Sequence, residues 1–292
     1  VDIRSFKNPY GRRGTNLLNI VIAALFLAFV IYSGRETGFS PSAFADSGNL
    51  KAMGRFVAGL WPPETSSGFV KNTGQLVVET FEISLLGTVL AVILALPLAV
   101  LGTRPRGEEF SSASRGLLLW AAHFFSYHTA RIFLNILRGI PELMWALIFV
   151  VAVGLGPFPG VLALAAHSTG VLGKLYSEIF ESVDLRLVEM IRSTGAGEVA
   201  VLAFVRIPVT LPVFLSYTLF RWECNMRAAT VLGFVGAGGI GTQLMISMKL
   251  FAYGEVLTLV ATIFILVLIV DLAGQFIRAN VLGDKKVKCG SS

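Results

Sequence analysis

Six stretches of this chain are apolar over roughly the length of a bilayer. They cover residues 17–33, 73–101, a segment from Leu117 that turns uniformly apolar after Pro141, and residues 160–180, 209–235 and 255–277. A helix needs about 20 such residues to cross the hydrocarbon core. Spanning backbone must satisfy its own polar groups, so runs like these are read as helices. The expectation is an all-α membrane protein of about six helices. Composition agrees: 54% of residues are hydrophobic and 14% charged, against about 25% charged in a soluble domain.

The first stretch follows Arg12 and Arg13, as the apolar part of a signal peptide would. The small residues that could mark a cleavage site, Ala43 and Ala45, lie well beyond its end. It is therefore read as a retained transmembrane helix. Residues 34–72 contain Trp61-Pro62-Pro63 and read as an extramembrane or interfacial segment with short helices. Pro141 should kink one long element, because proline removes an amide and clashes with the preceding turn. Residues 281–292 read as a disordered tail. The chain thus divides into 1–72, a membrane core over 73–280, and 281–292.

An even number of spans puts both ends on one side. That side would hold Arg4, Lys7, Arg12, Arg13, Arg104, Arg106, Arg115, Arg186, Arg192, Arg206, Arg278, Lys285, Lys286 and Lys288. The other would hold Arg35, Lys51, Arg55, Lys71 and Lys249. Fourteen against five is a positive-inside bias, which makes both termini cytoplasmic. The same bias accounts for the net charge of +6 without nucleic acid, since the basic residues are scattered between apolar segments.

One cytoplasmic segment is unusual. "EMIRSTGAGEVAVLAFVRIP", running from Glu189 to Pro208, places an acid, two arginines and a glycine pair between apolar spans. Asp184 can cap a helix carrying Leu187, Val188 and Ile191 on one face. Gly195 and Gly197 permit a sharp turn, and a second helical run, 198–205, leads to Pro208. The product is a helix–turn–helix finger over 184–208. Such a shape suits docking into a partner's groove and equally suits lying against headgroups.

The fifth span carries Arg221, Glu223 and Arg227. A charge at mid-bilayer costs about 2.5–3.5 kcal/mol on insertion scales, so each should face the bundle interior or pair. Glu223 and Arg227 are one turn apart in the favourable acid-first order and could neutralise each other. Alternatively, an arginine lines a path and meets an anionic oxyacid, since guanidinium matches such oxygens as a fork. Glu142, just after Pro141, is placed to cap a helix start. Lys174 and Glu178 are spaced as a pair. His123, His128 and His167 are not spaced for a metal, and hydrogen-bonded histidines are expected. Cys224 and Cys289 form no disulfide framework.

Gly236, Gly238 and Gly241 spell G-x-G-x-x-G, but a dinucleotide fingerprint needs a strand before it and a helix after it in a βαβ unit. Following a span, it reads instead as an irregular turn, with Gly239, buried against protein. No G-x-x-x-x-G-K-[ST] occurs, so this chain holds no ATP in a P-loop. Nor is there H-E-x-x-H or G-x-S-x-G to suggest an enzyme.

The order Glu189, Gly195 and Val205-Arg206-Ile207-Pro208 resembles the E-A-A-x-x-x-G-x(9)-I-x-L-P signature of binding-protein-dependent ABC importer permeases. Met190 and Ile191 stand where that signature has alanines, and Val205 and Ile207 are conservative swaps. The resemblance extends over residues 76–277. Arg138-Gly139-Ile140-Pro141-Glu142-Leu143 and Gly233-Phe234-Val235-Gly236-Ala237-Gly238-Gly239-Ile240-Gly241 are similar to segments of small type I, methionine-permease-like importers. "ELMWALIFVVAVGLGPF", "HSTGVLGKLYSE" and "LSYTLFRWECNMRAATVLGFVGAGGIG" are similar to phosphonate and phosphite permeases.

That resemblance implies a multi-pass inner-membrane permease that pairs with a second copy. Its partners would be a cytoplasmic ATPase dimer, which binds ATP and Mg in place of any cofactor in this chain, and an external substrate-binding protein. Glu189, Met190, Arg192, Gly195, Ala196 and Gly197 would couple to the ATPase. Arg221, Glu223 and Arg227 would lie along the path, and the glycine turn at its external gate. The implied cargo is phosphonate, phosphite or a related phosphorus oxyanion, with methionine or another small solute as the alternative. A secondary transporter driven by an ion gradient would need midplane acids, for which only Glu223 is placed.

Overall fold

The computed structural model describes residues 14–38, 46–104 and 117–283. The chain divides into two compact units, Val1–Ala58 and Gly59–Ser292. In the first, α1 (Gly14–Glu36) is apolar on every side, and its side chains from Leu18 to Tyr32 are exposed. A helix that is apolar all round suits a lipid-tail environment. The short helix α2 (Ser47–Gly59) follows, with no buried residue.

The second unit is a helical bundle with α6 (Pro157–Ser182) at its centre. Around it pack α3 (Ser67–Leu101), α4 (Leu117–Gly139), α5 (Glu142–Val153) and α9 (Ile207–Leu232). Glu64 precedes α3; hydrogen bonds from the Ser66 side chain and amide draw its carboxyl below the ordinary range. The last long helix, α11 (Tyr253–Gly283), packs against α9. It continues through Gly283, past the start of the tail expected at residue 281; residues 284–292 lie outside the described residues.

Among the described residues, four helices are long and apolar enough to cross a membrane unaided: α1, α3, the continuous run over Val199–Val235, and α11. A fifth candidate is the pair α4–α5, bent by 90°. The kink expected at Pro141 is in fact a right angle. Pro141 cannot donate to the Leu137 carbonyl, and that carbonyl instead accepts the Trp145 Nε1–H at 3.1 Å. The Ile140 carbonyl is met by His167 Nδ1 at 2.9 Å. The break is therefore stable inside a membrane, because neighbours take over the lost backbone bonds.

With 26 residues, α6 is long enough to span, but it lacks a lipid-grade apolar surface. Its neighbours shield it. Small and hydroxyl residues (Gly160, Ala163, Ser168, Thr169, Gly170, Ser177) are buried along it. A Cβ at Gly170 would fall on the Arg138 amide of α4, so these backbones approach as closely as glycine permits. Two apolar clusters flank this stripe. Ile83, Ala146, Leu164 and Leu232 lie in one, and Ala91, Leu172, Tyr176 and Phe214 in the other.

Between α6 and α9 come α7 (Leu185–Arg192), one turn of α8 (Glu198–Val201), and a π-turn over Leu202–Arg206. The run expected over 198–205 therefore does not stop before the span; it flows into α9. Pro208 explains the wide turn. It has no amide to offer the Phe204 carbonyl, and the preceding Ile207 N–H reaches back to Leu202 instead.

Candidate functional site

Three features answer the sites expected from sequence: the finger, the charges of α9, and the glycine turn. In the finger, Asp184 caps α7 by accepting the Arg186 amide at 2.9 Å. Val188 is buried, and with Val183, Val201 and Val205 it forms a small core against which Ile191 packs. Beyond α7, Gly195 donates to the Arg192 carbonyl at 2.8 Å and adopts φ +84°, a left-handed conformation that glycine tolerates without strain. The Gly197 carbonyl accepts the Val201 amide at 3.1 Å and starts the second arm. Ala196 is half-buried; Arg192 is half-buried and engaged by neighbours.

One expectation changes here. Leu187 does not share the inward face with Val188 and Ile191 but points outward, 40% exposed. It stands one turn from Met190, which is 64% exposed, with Glu189 exposed beside them. Val199 and Phe204, at 81% and 77%, extend the apolar exposure along the second arm. The finger thus has a closed inner core and an apolar outer surface that stays exposed among the described residues.

The charges of α9 are resolved differently from the spacing argument. Glu223 does not pair with Arg227. It is buried, and its Oε1 accepts Arg278 Nη1 of α11 at 2.5 Å. Gly274 makes room for it, since a Cβ there would overlap the carboxylate. Arg227 instead donates through Nη1 to both oxygens of Asp271, at 3.1 and 3.0 Å. Tertiary partners on α11 outcompete the one-turn pair because both carboxylates are turned toward that helix interface. Sequence spacing does not reveal Asp271 and Arg278 as the partners, although their seven-residue separation places them two turns apart on one face of α11. Arg221 donates from Nε to Ser168 Oγ at 2.9 Å. From there a polar chain crosses the bundle: Ser168 donates to Asn225 Oδ1 and Asn225 Nδ2 donates to Thr88 Oγ1, each at 2.8 Å.

Glu142 does begin α5, and its carboxylate also lies 3.3 Å from His167 Nε2. Lys174 and Glu178 approach to 3.5 Å, as their spacing predicts. His128 packs against the rings of Phe124 and Tyr127; the His123 side chain lies outside the described residues. Cys224 is a free thiol, and Cys289 falls outside the described residues. Among the described residues, no cluster of metal-ligating side chains occurs.

The glycine turn joins a short 3₁₀ segment, Gly233–Val235, to α10 (Ile240–Lys249). Gly236, Gly238 and Gly239 have φ of +83°, +81° and +74°. Gly241 is packed so closely that a Cβ would land on the Thr230 carbonyl. Two amides of the turn are claimed by α3: Gly239 donates to Glu79 Oε1 and Ile240 to Thr80 Oγ1, each at 2.9 Å. Gly156 donates to the Gly236 carbonyl at 3.0 Å. This is a helix-to-helix turn pinned to its surroundings, without the strand a dinucleotide fold would require.

This bundle, with its right-angled helix pair, buried polar chain and capped finger, has the fold of type I importer permeases. Residues 117–282 match the family described as binding-protein-dependent transport system inner membrane component, and the chain belongs to that family. It is 38% identical over 224 residues to the phosphite transport system permease protein PtxC of Stutzerimonas stutzeri, covering 77% of this chain and 76% of that one. It is 34% identical over 257 residues to the phosphate-import permease protein PhnE of Mycolicibacterium smegmatis, covering 88% of this chain but 45% of that longer relative. In structure it is similar to a chain of the MetNI methionine ABC transporter in an inward-facing conformation. That likeness has a TM-score of 0.62 at 21% identity, over 74% of this chain and 99% of that one. The chain is thus an ABC importer permease with phosphite and phosphonate permeases among its relatives, a multi-pass inner-membrane protein and a transporter subunit rather than an enzyme.

Proposed function

We propose that this chain is the membrane subunit of an ATP-driven importer that carries phosphonate, phosphite or a related phosphorus oxyanion by alternating access. Two copies surround the path, both termini face the cytoplasm, and an external binding protein delivers the anion. A separate ATPase dimer holds ATP and Mg. The observation that carries the reading is the finger. Its inner face is closed by Val183, Val188, Val201 and Val205, while Leu187 and Met190 leave an apolar ridge on the outside. An amphipathic helix with one face satisfied at home offers the other to a groove. ATPase closure moves Glu189, Met190, Arg192, Gly195, Ala196 and Gly197, and with them the ends of α6 and α9. Arg221 and Arg227 border the path, Glu223 ties α9 to α11 at its edge, and the turn of Gly236, Gly238, Gly239 and Gly241 supports the external gate. The cargo follows the phosphorus-transporting relatives rather than the methionine transporter, whose likeness is one of fold.

The test is crosslinking from cysteines placed singly at positions 189–197 of the assembled transporter. The expected result is capture of the ATPase, with a yield that changes when ATP is added. Labelling only by lipid-phase probes would count against the docking role.

A further inference from the structure

A cavity of about 430 Å³ opens between the start of α5 and the C-terminal part of α9. Arg227, Cys224 and Val231 line it from α9, and Glu142 and Leu143 from α5. Arg227 is held in an asymmetric way. Both Asp271 oxygens bond the same nitrogen, Nη1. On the other side Nη2 has only the weak acceptor Cys224 Sγ, at 3.6 Å. Guanidinium carries five N–H donors in a planar fork; with two bonds to Asp271 and one to Cys224, the Nε–H and one Nη2–H along the opposite edge have no acceptor among the described residues. Its side chain is 45% exposed.

We infer that this cavity is an intramembrane oxyanion subsite, in which Asp271 orients Arg227 by one nitrogen and leaves the opposite edge of the guanidinium to receive a tetrahedral oxyanion. This rests on the reading of the chain as an oxyanion permease and adds a place and a positioning residue to it. A guanidinium edge presents two parallel donors that match two oxygens of one phosphorus centre. The Glu142 and Leu143 amides precede the first intrahelical bond of α5, made by the Met144 N–H to the Pro141 carbonyl at 3.0 Å. They lie at the positive end of that helix, where an anion is favoured. The Glu142 carboxylate lines the same cavity, 3.3 Å from His167 Nε2, while the other ring nitrogen of His167 is committed to the Ile140 carbonyl. Leu143 and Val231 give the cavity an apolar wall, which suits an anion with one hydrogen or short alkyl group on phosphorus. Asp271 does not touch the ligand. It keeps the arginine neutralised while the site is empty and prevents it from turning away.

Cys224 sits in the cavity wall and provides a native reporter. In the complete transporter carrying Cys289→Ser, alkylation of Cys224 by N-ethylmaleimide is measured during ATP turnover. The measurement is made with and without phosphite, methylphosphonate or inorganic phosphate. The expected result is slowing by about threefold or more, which corresponds to a site filled about two-thirds of the time or more. Arg227→Gln abolishes that protection and lowers uptake about tenfold or more, as for loss of a charged hydrogen-bonding pair. Asp271→Asn raises the KM for uptake about tenfold while binding-protein-stimulated ATPase activity is kept, and Asp271→Glu restores much of the loss. A purely structural role for Asp271 would lower ATPase activity and uptake together.

Unchanged Cys224 alkylation with every one of these anions overturns the subsite, whether or not they are transported. Protection without uptake supports the subsite and sinks the transport reading. Uptake without protection does the reverse.

Discussion

Helix α6 and the finger that follows it are both poor in lipid-grade surface, yet they are finished to different degrees. Along α6 the chain satisfies itself. Gly170 admits the α4 backbone, Ser168 takes the Arg221 Nε–H and donates to Asn225, and Thr88 closes that polar chain from α3. The finger satisfies only one side, with Val188 inside and Leu187 and Met190 outside. Interactions that are complete within one chain set stability. An apolar face left open at a defined place, on a capped turn, is the surface that the proposed docking to an ATPase would cover.

That contrast can be broken at either end. The largest effect is expected from Gly170→Leu. Its side chain would run into backbone rather than into a movable neighbour, costing about 3 kcal/mol or more. The check is the thermal midpoint of the detergent-purified permease; an unchanged midpoint would mean that α4 and α6 do not approach as described. Next comes Glu223→Ala, which leaves Arg278 without its partner. The expected loss is about 3 kcal/mol, at the low end for orphaning a buried charge because Arg278 lies near the end of α11 and can reach the interface. Glu223→Ala combined with Arg278→Leu should recover part of it in the same assay. The smallest change in stability is expected from Gly195→Pro. Proline cannot adopt the positive φ of that position and loses the amide that bonds the Arg192 carbonyl, but the turn is exposed and can open locally, so the midpoint should shift by the equivalent of about 1–2 kcal/mol. Transport should nevertheless fall while ATP hydrolysis continues. Uptake at the normal rate would remove the finger from the coupling path.

Much of this architecture is legible in the sequence because lipid imposes long, simple patterns. Residues 73–101 and 255–277 announce themselves by length, Pro141 by its missing amide, and Asp184 by its place before an apolar periodicity. The partners of α9 were not legible. Glu223 and Arg227 sit one turn apart, and local spacing favours pairing them; only the packing of α11 reveals Arg278 and Asp271 as the groups they meet. Leu187 fails for a related reason. An eight-residue helix gives too few positions to fix which side faces inward, and the second arm, through Val201 and Val205, decides it.

The π-turn before Pro208 has a mechanical consequence. On the α6 side, Val183 and the Asp184 cap tie the finger stiffly to its helix. On the α9 side, the chain passes through a widened loop of backbone with one residue more than a regular coil would use. A lever clamped at one root and sprung at the other swings when pushed, rather than sliding. Force applied at the tip would reach α6 as a rigid tug and α9 as a twist.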